Sequence, residues 1–415
     1  MSRPRTTDTS QCLILSPGWP GATSGLAHAL RSSLRLYTAV YDDVVFIGIT
    51  PTNEYQAWRE ANANNLDSSI QVRHIPIPRA SKIRRYAKSM MGSIPAIAIE
   101  FWDQRDAVGR CLRDMSQPDA AVDVIIEDIP LTVLQPTVHS SLPAASTVIR
   151  SHHVQSEAFR GFDRDGLIWN QVAWKWEIKR IKWLERRALK EADATFCISD
   201  TDARGYERVY NHTVNGVIDV CFGEAEHEMS TEGAADRIVH VGSADLRKGH
   251  GLQWFVDDVW PLVRERRPNA ELHLGGRNTN RFHRPSEGVI GVGFVEDDQA
   301  FMERGGIFIN PQKRGSGLKI KSVVSMLAGR ALVSTETGIE GVKGQDGTHF
   351  YVRDHPGEMA DVLCMLIADD DQRRTMQKTA REFASHAYDC GRFIRDISEH
   401  FPISSHPTDT SATNE

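Results

Sequence analysis

Four cationic side chains surround a Gly-Ser-Gly loop in the second half of the chain. The segment from Lys313 to Gly329 reads KRGSGLKIKSVVSMLAG, and its cations are Lys313, Arg314, Lys319 and Lys321. A helical pattern follows the loop, although the first turn of a helix normally carries acidic residues because the helix dipole is positive there. Glycines let backbone amides approach an anion closely. The pattern favours an anion-binding loop; a surface helix with solvated lysines is the alternative.

A second cationic turn comes earlier, in the sequence VGSADLRKGHG (241–251). It places Arg247 and Lys248 between a predicted strand and a predicted helix, and a surface turn is the alternative reading. Two cationic loops at the same edge of a sheet would neutralise the two charges of a diphosphate. Ligands of parallel sheets bind beyond the carboxyl ends of the strands, where both loops are expected.

Two histidines follow a predicted strand of the first half, in RSHHVQSEAF (150–159). Adjacent side chains cannot point the same way, so one arrangement directs His152 to a ligand and leaves His153 structural. A structural role for both is the alternative. The opening turn SPGWPGATSG (16–25) includes Gly18 and Gly21. Its spacing differs from a dinucleotide fingerprint, which disfavours a nicotinamide enzyme; a glycine-rich wall of the ligand site and an ordinary turn remain open.

Composition limits the classes of protein to consider. The chain has 415 residues, enough for two or three domains, and a net charge of −6 gives no reason to expect nucleic acid as the main partner. Six scattered cysteines without a metal-binding spacing predict reduced thiols in a cytoplasmic protein. No segment has the roughly 18 apolar residues that cross a bilayer, so any membrane contact is expected to be peripheral.

Short apolar runs alternate with helical patterns in two series. This alternation predicts an α/β protein with two doubly wound, Rossmann-like domains facing each other across a cleft. Predicted strands of the first series are 12–15, 44–49, 72–77, 122–126, 146–150 and 194–199; those of the second are 237–242, 270–276, 288–294, 306–310 and 331–335. Predicted helices include 24–37, 81–91, 167–191, 252–266 and 320–328.

The two series define the expected domains. Residues 1–220 are predicted to form the first domain and 236–385 the second, with the polar, acidic segment 221–235 as the linker. Residues 386–401 are expected to pack back on the first domain. The tail 402–415 has no core-forming residues and is predicted to be disordered.

Two helical segments combine basic and apolar residues. Residues 81–94 are a candidate contact for an anionic membrane, with a solvated helix as the alternative. The helix at 167–191 carries an apolar stripe that includes Trp174, next to a stripe of lysines and arginines. Its mixture of tryptophan and lysine suggests nucleic acid or a membrane, and a core stripe beside a solvated face is the alternative preferred here.

Several motifs, in order, resemble the family-4 glycosyltransferases, which have the GT-B fold. The resemblance runs from about residue 12 to 400 and is greatest to a subgroup with a Gly-Ser-Gly loop. It rests on the segments RSHHVQSEAF (150–159), LERRALKEADATFCISDTD (184–202), VNGVID (214–219), 239–277, GFVEDDQAFM (293–302), INPQKRGSGLKIK (309–321) and MLAGRALVSTETGIEGV (326–342).

The resemblance implies transfer of a sugar from a nucleotide-diphosphate-sugar with retention of anomeric configuration, without a metal or other cofactor. The donor would bind the second domain, and a glycan, lipid or small-molecule acceptor would bind the first. By motif position, His152 lies beside the reacting sugar and Lys248 binds the diphosphate, so these two are the implied catalytic residues. The other implied donor-binding residues are Gly18, Gly21, Ser243, Arg247, Phe294, Val295, Gly315, Ser316, Gly317, Lys319 and Lys321.

Departures from the family pattern keep a second hypothesis open. The family usually carries two glutamates eight positions apart in this loop, and Ser316 and Val324 stand there in this chain. The second glutamate normally binds the donor ribose, and valine cannot accept a hydrogen bond. Ser243 stands where many members have arginine, and Arg247 is a candidate replacement. The alternative is therefore a catalytically silent GT-B protein that binds a nucleotide or glycan, or scaffolds an active partner; an epimerase is a third possibility.

Overall fold

Two α/β units make up the chain. The computed structural model describes residues 9–20, 25–62, 69–78, 85, 88–89, 92–159, 168–223, 233–244, 249–315 and 317–401. Unit 1 contains residues up to Val220 together with those from Gly391 onward, and unit 2 contains Cys221–Cys390.

The sheet of unit 1 has seven strands in the order β3-β2-β1-β4-β5-β6-β7, and neighbouring strands run parallel. This order places a topological switch between β1 and β4, where ligands of such sheets bind. The strands are β1 Ser10–Ser16, β2 Asp43–Thr50, β3 Ile70–Pro76, β4 Ala121–Glu127, β5 Ser146–Ser151, β6 Ala194–Cys197 and β7 Gly216–Val217.

The sheet of unit 2 has six parallel strands in the order β10-β9-β8-β11-β12-β13, with its switch between β8 and β11. Its strands are β8 Ala234–Val241, β9 Glu271–Gly275, β10 Val289–Gly293, β11 Gly305–Asn310, β12 Ala331–Ser334 and β13 Tyr351–Val352.

Helices connect these strands. Those of unit 1 are Gly25–Val40, Thr52–Asn62, Ile99–Trp102, Arg105–Met115, Gln135–Ser141, Gln155–Ala158, Ile168–Glu191, Asp200–Tyr210 and Cys390–Ile397, whose first residue belongs to unit 2. Those of unit 2 are Gly249–Trp254, Trp260–Arg266, Asp298–Met302, Ile320–Leu327, Pro356–Ala368 and Asp370–Ala387. A π-helical turn, Phe255–Val259, joins the first two of these and precedes Pro261, whose missing N–H and bulky ring disfavour an ordinary helical turn.

Both faces of the unit 1 sheet are buried, which explains the continuous apolar runs of its strands. Leu13 and Leu15 of β1 pack in one core cluster, whereas Cys12 and Ile14, which alternate with them, pack in another. The second cluster also includes Ile397 and Phe401, so the end of the described chain completes the core of unit 1.

Comparison with the sequence analysis confirms the eleven predicted strands, with small changes at their ends. The two-residue edge strands β7 and β13 were not predicted, because so short a run carries no periodicity. The predicted helix at 81–91 and the tail 402–415 lie largely or wholly outside the described residues. Residues 224–232 of the predicted linker also lie outside them.

A disulfide joins Cys221 to Cys390, at the two points where the chain passes between the units. The prediction of six reduced thiols is therefore wrong for these two, and Cys12, Cys111, Cys197 and Cys364 are free. Backbone hydrogen bonds hold the two segments beside each other: the amide of Phe222 donates to the carbonyl of Tyr388 (2.9 Å). The sequence separation of 169 residues conceals this pairing.

Reduction of this disulfide is expected to destabilise unit 2 by about 2–5 kcal/mol, because a long loop of the unfolded chain is then no longer closed. The measurement is the urea unfolding midpoint with and without dithiothreitol, for the wild type and for Cys221→Ser. Dithiothreitol should lower the midpoint of the wild type and leave that of the variant unchanged. Six titratable thiols in unreduced, denatured wild type would contradict the disulfide.

Candidate functional site

The carboxyl ends of β4 and β5 in unit 1 bring three polar side chains together. Glu127 ends β4 and is in register with Arg150 of β5, so their side chains lie on the same side of the sheet. The guanidinium of Arg150 donates to Oε2 of Glu127 (3.1 Å), and Nε2 of His152 lies 2.8 Å from the same oxygen. Glu127 and Arg150 are fully buried, and His152 is 7% exposed.

Electrostatic interactions determine the protonation of Glu127 and, through it, which ring nitrogen of His152 carries a hydrogen. Burial alone would raise the pKa of Glu127, but the Arg150 guanidinium and the hydrogen bond from His152 outweigh burial and lower it. Glu127 is thus a carboxylate, which only accepts hydrogen bonds, so Nε2 of His152 carries the hydrogen. In the neutral ring Nδ1 is then the basic nitrogen, and it makes no hydrogen bond to any residue that the structure describes.

Arg150 has further partners that anchor the triad. Its guanidinium donates to the carbonyl oxygens of Ala29 (3.2 Å) and Ile218 (3.1 Å). These carbonyls belong to different parts of unit 1, so the arginine ties the ends of β4 and β5 to their neighbours. The consequence is a rigid platform for His152.

The turn after β4 is also held in one conformation. Asp128 has a positive φ of 84°, which is uncommon for a residue other than glycine. Its amide donates to the carbonyl of Arg150 (2.9 Å), and its carboxylate accepts from the amide of Ile129 (2.9 Å). Such strain is typical of turns that surrounding contacts fix, and here it adjoins the triad.

His153 differs from its neighbour. Its backbone carbonyl accepts from the hydroxyls of Ser151 (3.0 Å) and Tyr206 (3.3 Å), and its imidazole makes no hydrogen bond or ion pair with the described residues. The structure thus gives the two histidines different environments, with the His152 ring in the buried triad.

The opening turn of unit 1 has a packing reason for its first glycine. A Cβ at Gly18 would lie 2.8 Å from the side chain of Leu26, on the following helix. The hydroxyl of Ser16 donates to the carbonyl of Gly18 (2.9 Å) and closes the turn. Gly21 lies outside the described residues.

In unit 2 the described parts of the two segments that carry the predicted anion loops, 241–251 and 309–321, lie against each other. A Cβ at Gly251 would come within 2.0 Å of the carbonyl oxygen of Pro311, so the helix after the first loop packs directly on the second. Only glycine permits this approach. The prediction that both loops share one edge of the sheet is confirmed, because each follows a strand of the same parallel sheet.

Lys321 links the two loops. Its ammonium donates to the carbonyl of Val241 (2.8 Å) and lies 3.7 Å from a carboxylate oxygen of Asp298. Beneath it, Nδ1 of His240 contacts the carbonyl of Ile309 (2.9 Å). Burial lowers the pKa of His240 to about 4, and Lys321 acts in the same direction, so this imidazole is neutral.

Other cations of the Gly-Ser-Gly segment already have acidic partners. The ammonium of Lys319, only 7% exposed, lies 2.9 Å from a carboxylate oxygen of Glu340 and donates to the carbonyl of Gly317 (2.6 Å). Lys313 lies 3.0 Å from the carboxylate of Asp354. An incoming anion at these lysines would therefore compete with, or add to, existing pairs.

Three predicted residues of unit 2 fall outside the described parts of the chain. Arg247, Lys248 and Ser316 lie outside them. Ser243 is half-buried in the turn after β8. The loop glycines Gly315 and Gly317 have φ values of 117° and 86°, which residues other than glycine rarely adopt.

The end of β10 presents an apolar residue. Phe294 is 65% exposed, and a Cβ at Gly275 would meet Val295 at 2.7 Å. The backbone of Gly293 has a positive φ of 79°, and its carbonyl accepts from the amide of Gly276 (2.6 Å). Phe294 and Val295 thus extend from a glycine turn at the carboxyl edge of the sheet.

Arg281 is a cation near the first loop that the sequence analysis did not identify. A Cβ at Gly249 would lie 2.3 Å from its guanidinium, which places that group against the residue following Lys248. The guanidinium also lies 4.6 Å from the ring centroid of Phe282, and no carboxylate pairs with it among the described residues. Arg281 is exposed. Nothing in its sequence spacing indicated this position, because the chain reaches it through a separate turn after β9.

The helix Ile320–Leu327 carries the residue that departs from the family pattern. It has no acidic residue in its first turn, and Val324 is half-buried on its surface. Within the described residues there is also no group of three or more His, Cys, Asp or Glu side chains that could hold a metal ion.

Comparison with known protein families finds a match for the segment of unit 2 that contains both anion loops. Residues 235–369 match the family of glycosyl transferases group 1. The match covers β8 to β13 and therefore both anion loops, Arg281 and Glu340. The triad of Glu127, Arg150 and His152 lies outside this group 1 segment.

A curated relative has a matching region of similar extent. An uncharacterized 44.6 kDa protein in the cps region of Klebsiella pneumoniae is 27% identical over 158 residues, which is 35% of this chain and 41% of that protein. The match thus spans about two fifths of the length of that relative.

Solved structures resemble nearly the whole chain. TarM from S. aureus, in complex with fondaparinux, α-GlcNAc-glycerol and UDP, has a TM-score of 0.68 at 9% identity, with 94% of this chain and 99% of TarM covered. HepE from Anabaena, in complex with UDP and glucose, has a TM-score of 0.64 at 12% identity, with 95% of this chain and 100% of HepE covered. An E. coli structure described as trehalose-6-phosphate bound with UDP-2-fluoro glucose has a TM-score of 0.64 at 10% identity, with 94% of this chain and 98% of that chain covered. At these identities the likeness establishes the fold, which is GT-B.

Proposed function

We propose that this chain is a retaining glycosyltransferase of the family-4 type, which moves a sugar from a nucleotide-diphosphate-sugar to a glycan, lipid or small-molecule acceptor. The single observation that carries the proposal is the match of residues 235–369 to the glycosyl transferases group 1. In this proposal residues 236–385 bind the donor and residues 1–220 bind the acceptor. No metal or cofactor takes part in the proposed reaction.

The geometry of unit 2 supports a diphosphate site. Departure of a nucleoside diphosphate leaves positive charge on the sugar and adds negative charge to the leaving phosphates, so cations near the phosphates stabilise the transition state. We assign this role to Lys248 and Arg247, with Arg281 and Lys321 beside the same two loops. Backbone amides of the Gly-Ser-Gly loop would supply further donors, because glycines let an anion approach the backbone closely.

The triad of unit 1 supports a role for His152 at the sugar. Nε2–H is committed to Glu127, which leaves Nδ1 as a fixed acceptor for a hydroxyl of the donor sugar. Glu127 and Arg150 would act as positioning residues, since both are fully buried and reach the sugar only through the imidazole.

A silent GT-B protein is the second candidate, and two observations favour it. Val324 offers no acceptor for the ribose hydroxyls, and Lys319 is already paired with Glu340. Such a protein would bind a nucleotide or glycan, or scaffold a partner, without transfer.

Thermal-shift measurements with nucleoside diphosphates and their sugars test the proposal. UDP is the first ligand to try, because TarM, HepE and the E. coli structure hold UDP or a UDP-sugar. A ligand at 100 times its dissociation constant stabilises by about 2.7 kcal/mol. Stabilisation by one nucleoside diphosphate and release of that diphosphate from its sugar support the proposal. Absence of any shift at millimolar ligand would favour the silent protein.

Arg281→Ala is expected to raise the KM for the donor about tenfold or more, because a charge-assisted hydrogen bond to phosphate is worth about 1.5–3 kcal/mol. Initial rates at varied donor concentration measure the effect. Arg284→Ala is the matched control: this half-buried arginine lies 3.5 Å from carboxylates of Asp257 and Glu287, and its loss should leave KM unchanged. Equal KM values for Arg281→Ala and the wild type would remove Arg281 from the site.

A further inference from the structure

The helix Ile168–Glu191 exposes two tryptophans on one face. Trp176 is 60% exposed and Trp183 is 49% exposed, and seven residues, or about two helical turns, separate them. Val172, one turn before Trp176, is 48% exposed. The described residues include five large hydrophobic side chains with such exposure, and three of them form this stripe. An apolar stripe of this kind on a protein surface indicates a binding partner.

Cations border the stripe on this face. Lys175, Lys179, Arg186 and Lys190 are exposed. The ammonium of Lys179 lies 5.6 Å from the ring centroid of Trp176, and the guanidinium of Arg187 lies 5.6 Å from that of Trp183. Within the described residues Lys175, Arg186 and Lys190 have no carboxylate at ion-pairing distance, so their charge is available to a partner.

The acidic residues of the same helix face away from this surface or are paired. Glu177 is buried and accepts from the hydroxyl of Ser89 (3.3 Å), and Glu185 is fully buried and accepts from the amide of Gln155 (2.6 Å). Glu191 pairs with Arg187 at 2.9 Å. The outward face is thus basic although the whole chain has a net charge of −6.

We propose that this aromatic and basic face, defined by Val172, Trp176, Trp183 and the neighbouring lysines and arginines, docks on an anionic lipid bilayer. Tryptophan rings favour the boundary between headgroups and acyl chains, and the cations complement anionic headgroups. A nucleic acid would be drawn to the same charge, but the exposed Val172 favours an apolar partner. None of the described helices is long and apolar enough to cross a membrane, so contact would be at the surface.

This face is distinct from residues 81–94, the basic segment first considered for membrane contact. The described cations of that segment are already paired: Arg85 lies 3.4 Å from Glu100, and Lys88 contacts Asp103. Most of the remaining residues there lie outside the described parts of the chain. The unpaired cations and exposed rings of the helix Ile168–Glu191 carry the present proposal.

Co-sedimentation with vesicles tests it, using phosphatidylcholine alone and phosphatidylcholine with 30% phosphatidylglycerol as the two probes. Wild type is expected to bind the anionic vesicles at least tenfold more strongly than the neutral ones. Trp176→Ala combined with Trp183→Ala should reduce binding at least tenfold. Lys175→Glu, Lys179→Glu and Lys190→Glu together should abolish binding, because the affinity falls roughly fivefold or more for each cation that is lost.

Matched controls separate this face from the general surface. Arg59→Glu, Arg110→Glu and Lys378→Glu together change the net charge equally, at exposed positions of other helices, and Val292→Ala removes another exposed apolar group. Both controls should bind like the wild type. Binding that is insensitive to the two tryptophans, or equally weakened by the control charges, would overturn the proposal. It would also be overturned if the tryptophan variant instead dissociated a homodimer in sedimentation equilibrium, or if only single-stranded DNA bound to this face.

Discussion

Glu127→Gln is expected to lower the free energy of unfolding of unit 1 by about 3–5 kcal/mol, because it leaves the buried guanidinium of Arg150 without its counter-charge. Glutamine has nearly the shape of glutamate, so loss of packing contributes little. Both groups are fully buried, and the remaining partners of Arg150 are neutral carbonyl oxygens. Urea unfolding at pH 7.5, followed by circular dichroism, measures the loss.

Glu191→Gln provides the control for this comparison. Its carboxylate also pairs with an arginine of unit 1, at 2.9 Å from Arg187, but both side chains are about one third exposed. Exposed pairs of this kind contribute about 0.3–0.5 kcal/mol, so the control should unfold nearly like the wild type. Equal stability of Glu127→Gln and Glu191→Gln would show that Arg150 does not depend on Glu127.

The pH dependence gives the same experiment a second readout. The pKa of Glu127 is lower in the folded protein than in the unfolded chain, where it has its ordinary value of about 4.3. The carboxylate therefore stabilises the fold fully above the unfolded pKa, and this stabilisation is lost as pH falls through the folded pKa. The stability difference between wild type and Glu127→Gln should accordingly persist at pH 5.5 and shrink at more acidic pH.

His152→Ala is expected to reduce the turnover number about 10²–10³-fold while changing the KM for the donor little. The reason is that the imidazole, in the proposed reaction, contacts the sugar where charge develops, whereas the diphosphate cations hold the donor. Steady-state kinetics with the nucleotide-sugar identified by thermal shift measures both quantities.

His153→Ala is the natural control, because it removes an imidazole from the adjacent position. The described contacts of His153 use its backbone carbonyl, which alanine retains. Its turnover number should stay within about twofold of the wild type. Comparable losses in the two variants would show that the segment, rather than the His152 ring, is required.

Much of the fold follows from local patterns. The eleven longer strands were predictable because both faces of each sheet are buried, and continuous apolar runs such as VVFIGI result. The arrangement of both anion loops at one edge also followed, since they come after strands of one parallel sheet. Topology, once known, places Glu127 beside Arg150, but the sequence alone leaves the order of β4 and β5 open.

Contacts between distant segments account for what the sequence did not reveal. From the sequence, Lys319 was interpreted as a cation that is available to bind an anion. In the structure its ammonium is paired with Glu340, which lies 21 residues later in the chain. Arg281 reaches Gly249 through another loop, and the disulfide joins residues 169 apart. On the helix Ile168–Glu191, the sequence indicated the apolar stripe that contains Trp174. It did not indicate that Trp176 and Trp183 lie on a different, exposed face of the same helix.

The most direct test of the account is the release of nucleoside diphosphate from the preferred nucleotide-sugar by wild type and by Lys248→Ala. The proposed site assigns the diphosphate charge chiefly to Lys248, so the variant should lose both donor hydrolysis and transfer while its circular dichroism spectrum and unfolding midpoint stay those of the wild type. Equal rates of release from the two proteins would contradict the proposed donor site.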